Sequence, residues 1–359
     1  MNIRRRESRP ISAGGLAIGG EAPISVQTMT KTDTRDVAAT RSEIARLAEA
    51  GADLVRLAVP DREAAEALGA LVKSAPVPLA ADIHFDYHLA LTALDAGVQK
   101  LRINPGNIGG PDRVRAVALA AKDRRVPIRI GVNAGSLEER LIDKHGGPTP
   151  QAMVESALDQ AALLEDLGFA DIVVSLKASD VRRTVDAYRL IAGRCRYPLH
   201  LGVTEAGGMI PGTVKSSLGI GLLLAEGIGD TIRVSLTDDP ALEVRVGFEL
   251  LRALGLRLRG PEIVSCPTCG RCQVDLPGLV GQVEEGLKGL TEPVRVAVMG
   301  CAVNGPGEAR EADFGLAGGK GGGLLFRRGQ VVGKVPEGEL AKALIDEVWK
   351  ATGGRRPGG

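Results

Sequence analysis

Cys266-Pro267-Thr268-Cys269, with Cys301 and Glu308 further on in Gly300-Cys301-Ala302-Val303-Asn304-Gly305-Pro306-Gly307-Glu308, is the most chemically loaded part of this chain. A close pair of thiolates plus a distant third suits a tetrahedral soft metal or an iron–sulfur cluster. The Gly-Pro-Gly turn beyond Cys301 lets the backbone approach a bulky inorganic group without Cβ clashes. Zinc ribbons pair their cysteines twice, and the second close pair is missing here. Two residues compete for the fourth position. Cys272 extends the spacing to Cys266-x2-Cys269-x2-Cys272 and would complete an all-thiolate site. Glu308, seven residues past Cys301, would supply a hard and therefore labile oxygen, leaving one metal position exchangeable. The C-x3-C-x2-C spacing of radical adenosylmethionine chemistry is absent. An odd total of five cysteines argues for metal or redox use over structural disulfides, with the isolated Cys195 read as a small buried apolar residue.

A second constellation is spread over the first two thirds of the chain. Arg56, Asp82, His84, Arg102, Asn104, Arg129, Asn133, Lys177, Thr204, Glu205 and Arg233 fall within or just after the C-terminal half of an expected strand. Several cations facing one cavity repel each other, and an anion with several oxygens resolves the conflict. Guanidinium forks match phosphate geometry, so a diphosphate is the better reading than a single carboxylate. The alternative is that each arginine pairs with a structural carboxylate. Asp82 and His84 share one strand face and form an acid–base pair, a metal pair or a hydrogen-bonded support. A metal role is weakened because no second histidine accompanies His84. Glu205, followed by Gly207-Gly208, is either a proton donor whose pKa rises through burial or an acid complementing a helix N-terminus.

The elements that must position these groups follow a βαβα pattern. Strands are expected over Ile24–Met29, Leu54–Ala58, Pro78–His84, Lys100–Asn104, Pro127–Asn133, Ile172–Lys177, Leu199–Glu205 and Thr231–Leu236. Helices between them include Arg41–Ala50 and Thr149–Leu167, each stopped by a glycine. Eight such strands predict an α/β fold, a (β/α)8 TIM-type barrel over 1–258, whose strand carboxyl ends form the catalytic mouth. The competing open sheet would show a glycine-rich first turn, which is not evident. After the break at Leu258-Arg259-Gly260-Pro261, a small α+β metal domain is expected over 259–352, followed by a disordered tail over 353–359. Within it, helices are expected over Leu276–Leu290 and Gly338–Ala351, a strand over Val294–Met299, and a hairpin of Leu324–Arg327 with Val331–Val335. The run Gly318–Gly323 reads as a flexible loop or a phosphate nest.

Composition narrows the class. With 45 basic and 44 acidic residues the formal charge is +1, which argues against a nucleic-acid or membrane-surface binder. The start of the chain has no signal-peptide character, and the most apolar run, Leu218–Ala225, is far shorter than the roughly 20 residues of a membrane span. A soluble, cytoplasmic protein is expected.

Almost the whole chain resembles the 4-hydroxy-3-methylbut-2-enyl diphosphate synthase family of the non-mevalonate isoprenoid pathway. The resemblance rests on Ala22–Thr30, Ala81–Asp86, Leu101–Asn107, Ile130–Leu137, Gly202–Gly207 and Gly227–Leu236. Cys266-Pro267-Thr268-Cys269-Gly270-Arg271 and Asn304–Glu308 complete it. It implies a 4Fe–4S cluster on Cys266, Cys269, Cys301 and Glu308, which leaves Cys272 a bystander. It also implies a small domain like a ferredoxin-reductase half-domain, and a homodimer in which one subunit's cluster serves the other's barrel mouth. The implied reaction is reductive ring opening, with loss of water, of 2-C-methyl-D-erythritol 2,4-cyclodiphosphate to 4-hydroxy-3-methylbut-2-enyl diphosphate. Two electrons arrive singly from ferredoxin or flavodoxin. On this reading Arg56, Arg102, Arg129 and Lys177 hold the diphosphate, and Asn104, Asn133 and Thr204 orient it. Glu205 delivers a proton, supported by His84 and Asp82. The rivals are another barrel enzyme, acting on phosphorylated or pterin-like substrates with structural zinc, and an iron–sulfur sensor without turnover.

Overall fold

In the computed structural model, which describes residues 3–303 and 305–353, the chain divides into Met1–Arg257 and Leu258–Gly359. The first unit opens with a hairpin, β1 (Ile11–Ala13) and β2 (Leu16–Ile18). Eight parallel strands follow: β3 (Ser25–Met29), β4 (Leu54–Ala58), β5 (Leu79–Asp82), β6 (Lys100–Ile103), β7 (Ile128–Asn133), β8 (Ile172–Lys177), β9 (His200–Leu201) and β10 (Thr231–Ile232). They pair in the order β8-β7-β6-β5-β4-β3-β10-β9, and a bridge from Val174 to Leu199 joins the two ends. The sheet therefore closes as the expected eight-stranded barrel.

Nine helices cover it among the described residues: α1 (Val37–Glu49), α2 (Arg62–Ser74), α3 (Tyr87–Asp95), α4 (Pro111–Arg124), α5 (Glu139–His145), α6 (Pro150–Glu165), α7 (Val181–Ala192), α8 (Met209–Ala225) and α9 (Pro240–Ala253). Many start where sequence chemistry dictates. Asp36, Asp61, Asp86, Thr149, Asp180 and Asp239 each accept a backbone N–H of the first turn of their helix. Apolar outward faces of the strands and inward faces of the helices make one continuous core.

Two strands lose most of their expected length. The Leu199–Glu205 strand is reduced to His200–Leu201, and Thr231–Leu236 to Thr231–Ile232. Each stops because its backbone finds other partners. Thr204 N–H donates to the Ala178 carbonyl, and Leu236 N–H to the Glu243 carboxylate. Thr204 and Glu205 thus sit on a loop beyond β9.

Register sorts the inward side chains into layers, because each strand is offset from the next around a closed barrel. The lowest holds Leu54, Lys100, Val173 and Thr231, and the next Gln27, Ala80, Arg129 and His200. Above these come Arg56, Arg102, Ser175 and Arg233. The β1–β2 hairpin, through Ile11, Ala13 and Ile18, packs on Leu54, Ala80 and Val173 and closes the amino end.

The second unit is a five-stranded sheet in the order β11 (Pro261–Ser265), β12 (Val294–Met299), β13 (Phe314–Gly319), β14 (Gly322–Arg327), β15 (Gln330–Pro336). The first three strands are parallel and the last three antiparallel. Alternation along the strands sends Val296, Val298 and Leu316 toward α10 (Leu276–Gly286) and α12 (Leu340–Thr352). Ala297, Met299 and Ala317 face α11 (Gly305–Glu311) on the other side. The glycine run expected as a loop or nest is instead the paired ends of β13 and β14, joined by Lys320-Gly321. Its glycines leave room on the sheet faces, where a Cβ on Gly318 would stand 2.9 Å from Val274 and one on Gly323 3.0 Å from Leu340. Gly353, expected to begin a disordered tail, ends α12 in a left-handed conformation (φ 70°), and the rest of that tail lies outside the described residues.

Candidate active site

Strand ends of the barrel converge on a cavity lined by Arg56, Asp82, His84, Arg102, Arg129, Asn133, Lys177, Val203, Thr204, Arg233 and Ser235. Five of these side chains are cationic and one, Asp82, is a carboxylate. Asp82 is the hub. Its Oδ1 lies 3.2 Å from Arg102 Nη1 and 3.5 Å from His84 Nε2, and its Oδ2 lies 3.5 Å from Arg56 Nε. Burial pushes this carboxyl up, but Arg56, the His84 hydrogen bond, Arg102 and Arg129 outweigh it and hold Asp82 well below the usual carboxylate range. Glu243 on α9 faces Arg233 at 3.4 Å while accepting hydrogen bonds from Thr28 and Thr32.

Two carboxylates do not neutralise five cations. Burial first, then Arg233 and Arg102, bring Arg56 down to about 10 despite Asp82. Burial together with neighbouring guanidinia also presses Arg129 and Lys177 well below their ordinary values. The fold accepts this crowding by giving up side chains nearby. A Cβ on Gly131 would stand 2.6 Å from Arg102 Nε, and one on Gly202 would stand 2.7 Å from Lys177 Nζ. Both glycines make room for a cation. Arg129 is further aligned by donating to Ser175 Oγ at 2.7 Å, and Arg102 by donating to the Gly131 carbonyl at 3.1 Å.

Of the substrate-binding residues expected from sequence, Arg56, Arg102, Arg129, Asn133, Lys177 and Thr204 line the cavity and Asn104 does not. Asn104 Oδ1 accepts the Gly131 N–H at 3.0 Å, so its side chain ties β6 to β7 instead of turning to a ligand. Val203 and Ser235 also line it. Neither was expected, although Ser235 continues the alternation that begins at Arg233 and was legible from it. Glu205 differs from expectation most. Its residue is exposed, not buried, and it lies outside the cavity lining. Its backbone is the distinguishing feature, a non-glycine residue at φ 53°.

In the second unit, Cys266 follows β11 and Cys301 follows β12, adjacent parallel strands with Ser265 opposite Val298. Both thiols therefore leave one end of the sheet, and Glu308 stands in the first turn of α11 just beyond. Cys269 is exposed, and backbone and side-chain hydrogen bonds from Arg271 lower its thiol pKa. Cys272 is engaged elsewhere. Its thiol donates to the Val274 carbonyl at 3.3 Å, and a Cβ on Gly300 would stand 2.4 Å from its sulfur. Among the described residues no three ligating side chains lie together at metal-holding distance. The donor chemistry, three thiols and a carboxylate off one sheet end, nevertheless fits a soft iron–sulfur group.

A cation-lined barrel mouth on one unit and a cysteine-bearing sheet on another define a two-unit barrel enzyme that works on anionic substrates. The GcpE TIM-barrel domain matches residues 8–248 and the GcpE protein C-terminal domain matches 262–350, so the chain belongs to the GcpE family. It is 60% identical over 346 residues to 4-hydroxy-3-methylbut-2-en-1-yl diphosphate synthase (flavodoxin) of Geobacter sulfurreducens, covering 96% of this chain and 98% of that protein. To the protein of the same name from Thermodesulfovibrio yellowstonii it is 58% identical over 348 residues, covering 97% and 100%. Among solved structures, N-acetylneuraminic acid synthetase from Leptospira borgpetersenii matches with a TM-score of 0.50 at 13% identity, over 70% of this chain and 92% of that one. That likeness concerns the barrel fold alone.

Proposed function

We propose that the barrel mouth holds 2-C-methyl-D-erythritol 2,4-cyclodiphosphate and that the chain reductively opens it to 4-hydroxy-3-methylbut-2-enyl diphosphate. The chain is an oxidoreductase of isoprenoid precursor biosynthesis. The observation that carries the substrate reading is the charge imbalance at the strand ends, where five cationic side chains face one lining carboxylate. A diphosphate supplies the missing negative charge and oxygens in the geometry that guanidinium forks accept.

In this reading Arg56, Arg102, Arg129 and Lys177 hold the diphosphate, while Asn133 and Thr204 orient it. Asn104 acts one step back, by fixing the Gly131 backbone beside Arg102. Arg233 and Ser235 line the same cavity and extend the anion-binding set. Asp82 keeps two guanidinia aimed, and His84 stands at the rim beside Asp82 and Arg102. Glu205 delivers the proton with which the departing hydroxyl leaves as water. A strained, exposed carboxylate on the loop beyond β9 is suited to meeting a ligand at the mouth. Cys266, Cys269, Cys301 and Glu308 would hold a 4Fe–4S cluster. That cluster, when bound, supplies two electrons one at a time, received from flavodoxin, the donor in the relatives' name, or from ferredoxin.

A homodimer and a cytoplasmic location complete the proposal. No helix among the described residues is long and apolar enough to cross a membrane. The deciding experiment is anaerobic cluster reconstitution followed by an assay with the cyclic diphosphate and a chemical reductant. Iron with acid-labile sulfide and conversion of the substrate are expected. Zinc without sulfide, or no conversion by iron-loaded protein, would overturn the proposal.

A further inference from the structure

Below the cavity the barrel interior is polar where branched apolar side chains usually fill the layers. Lys100 in the lowest layer, and Gln27 and His200 in the next, are 1%, 2% and 0% exposed. Among the described residues, Lys100 Nζ, both amide atoms of Gln27 and His200 Nε2 have no hydrogen-bond partner. Buried polar atoms of this kind are ordinarily satisfied, by protein or by internal water.

The charges that bear most on Lys100 are of its own sign. Arg129 from β7 and Arg56 from β4 bear on it directly, and His200 from β9 lies in the same field. Arg102 stands two residues on along β6. The nearest carboxylate in the layers above, Asp82 on β5, is already shared by Arg102 and Arg56. Burial, then Arg129 and Arg56, bring the Lys100 ammonium down to about 7. Its charge therefore depends on what occupies the mouth above.

We propose that Lys100 is a further anion-binding residue of this mouth, acting from beneath without touching the ligand: as phosphates settle on the arginine layer, its amine takes up one proton from solvent. The step is –NH2 plus H⁺ giving –NH3⁺, with no other bond made or broken. Water bridging Nζ to Gln27 and His200 would solvate the new charge. The inference rests on the diphosphate reading of the mouth. Its sign follows from linkage, since the ligand prefers the ammonium form. Below pH 7 or so Lys100 is already charged and binding takes up nothing, whereas above it affinity falls by up to about tenfold per pH unit.

The test is titration calorimetry of the reconstituted enzyme with the cyclic diphosphate, without reductant, in buffers of different ionisation enthalpy. Each phosphorus of that ligand carries one strongly acidic hydroxyl, so the ligand itself does not titrate near neutrality. Burial and Arg129 press Lys177 down as well, so the readout is the difference between variants, which cancels any uptake elsewhere in the mouth. At about pH 8, Lys100→Met should take up about one proton fewer than wild type and bind roughly fiftyfold more weakly at about pH 7. Lys100→Arg, permanently charged, should also take up about one fewer yet keep wild-type affinity at about pH 7. It carries the test alone if the methionine variant does not fold. Equal proton uptake in wild type and variants would overturn the role of Lys100 while leaving the mouth reading intact. No binding by wild type would remove the diphosphate reading and this inference with it.

Discussion

Arg102 Nη1 and Asp82 Oδ1 lie 3.2 Å apart inside the barrel mouth, on adjacent strands whose register sets the two residues directly opposite. Both side chains are nearly buried, at 7% and 8% exposure, and the same carboxylate also faces Arg56. Breaking a buried pair by removing one partner leaves the other charges uncompensated. Asp82→Asn should therefore cost about 3 to 5 kcal/mol of stability, read by chemical denaturation at neutral pH.

The pH dependence of that contribution has a definite sign. Because the folded Asp82 carboxyl is depressed, its stabilisation is fully present above the unfolded value, about 3.9, and is lost as pH falls below it. The stability difference between wild type and Asp82→Asn should be flat from weakly acidic to neutral pH and should shrink below about pH 4. A difference that vanished already near neutrality would contradict the placement of Asp82 among the guanidinia.

Arg129 is held at 2.7 Å from Ser175 Oγ and has no carboxylate to itself, so its charge serves a ligand more than the fold. Arg129→Met should weaken binding of the cyclic diphosphate by about a hundredfold, measured calorimetrically, while thermal stability is retained or raised.

Glu205 combines a left-handed backbone with an exposed carboxylate on the loop beyond β9. Glu205→Gly should relieve the strain and stabilise the barrel by roughly 1 kcal/mol, yet abolish most turnover. Glu205→Gln should lose turnover without the stability gain, and neither should alter the cluster spectrum. Full activity in the glutamine variant would exclude Glu205 as proton donor.

Cys272 and Gly300 form a tight contact in which an added Cβ would reach within 2.4 Å of the sulfur. Gly300→Ala should lower iron content by displacing the segment that carries Cys301, and adding Cys272→Ala should restore it. Cys272→Ser alone should keep iron and sulfide at wild-type levels. Loss of iron in that variant would make Cys272 a ligand.

Much of the barrel was legible because its signal is local. Strands such as Leu54–Ala58 and Ile172–Lys177 are short, mostly apolar and largely buried runs, and their bounds match the sequence reading. The reading failed where backbone pairing is decided at a distance. Pro261–Ser265 becomes a strand only because β12 lies alongside it, and the glycines of Gly318–Gly323 become strand ends because β13 and β14 pair up to the turn. At the site, a residue's place at a strand end was legible, but its partner was not. Asn104 reads like Asn133 in sequence, and only the Gly131 N–H separates their roles.

By itself, the order of residues determined the eight-stranded repeat, the run of cations at strand ends and the ligating types in the last third. These depend on alternation and spacing along one chain. The three-dimensional arrangement alone decided that Asp82 is shared by two arginines, that Gly131 and Gly202 make room for cations, and that Lys100 is buried without a partner beneath them. The reason is physical: the stagger of a closed barrel brings side chains from distant strands into one layer, and their charges acquire meaning only against those neighbours.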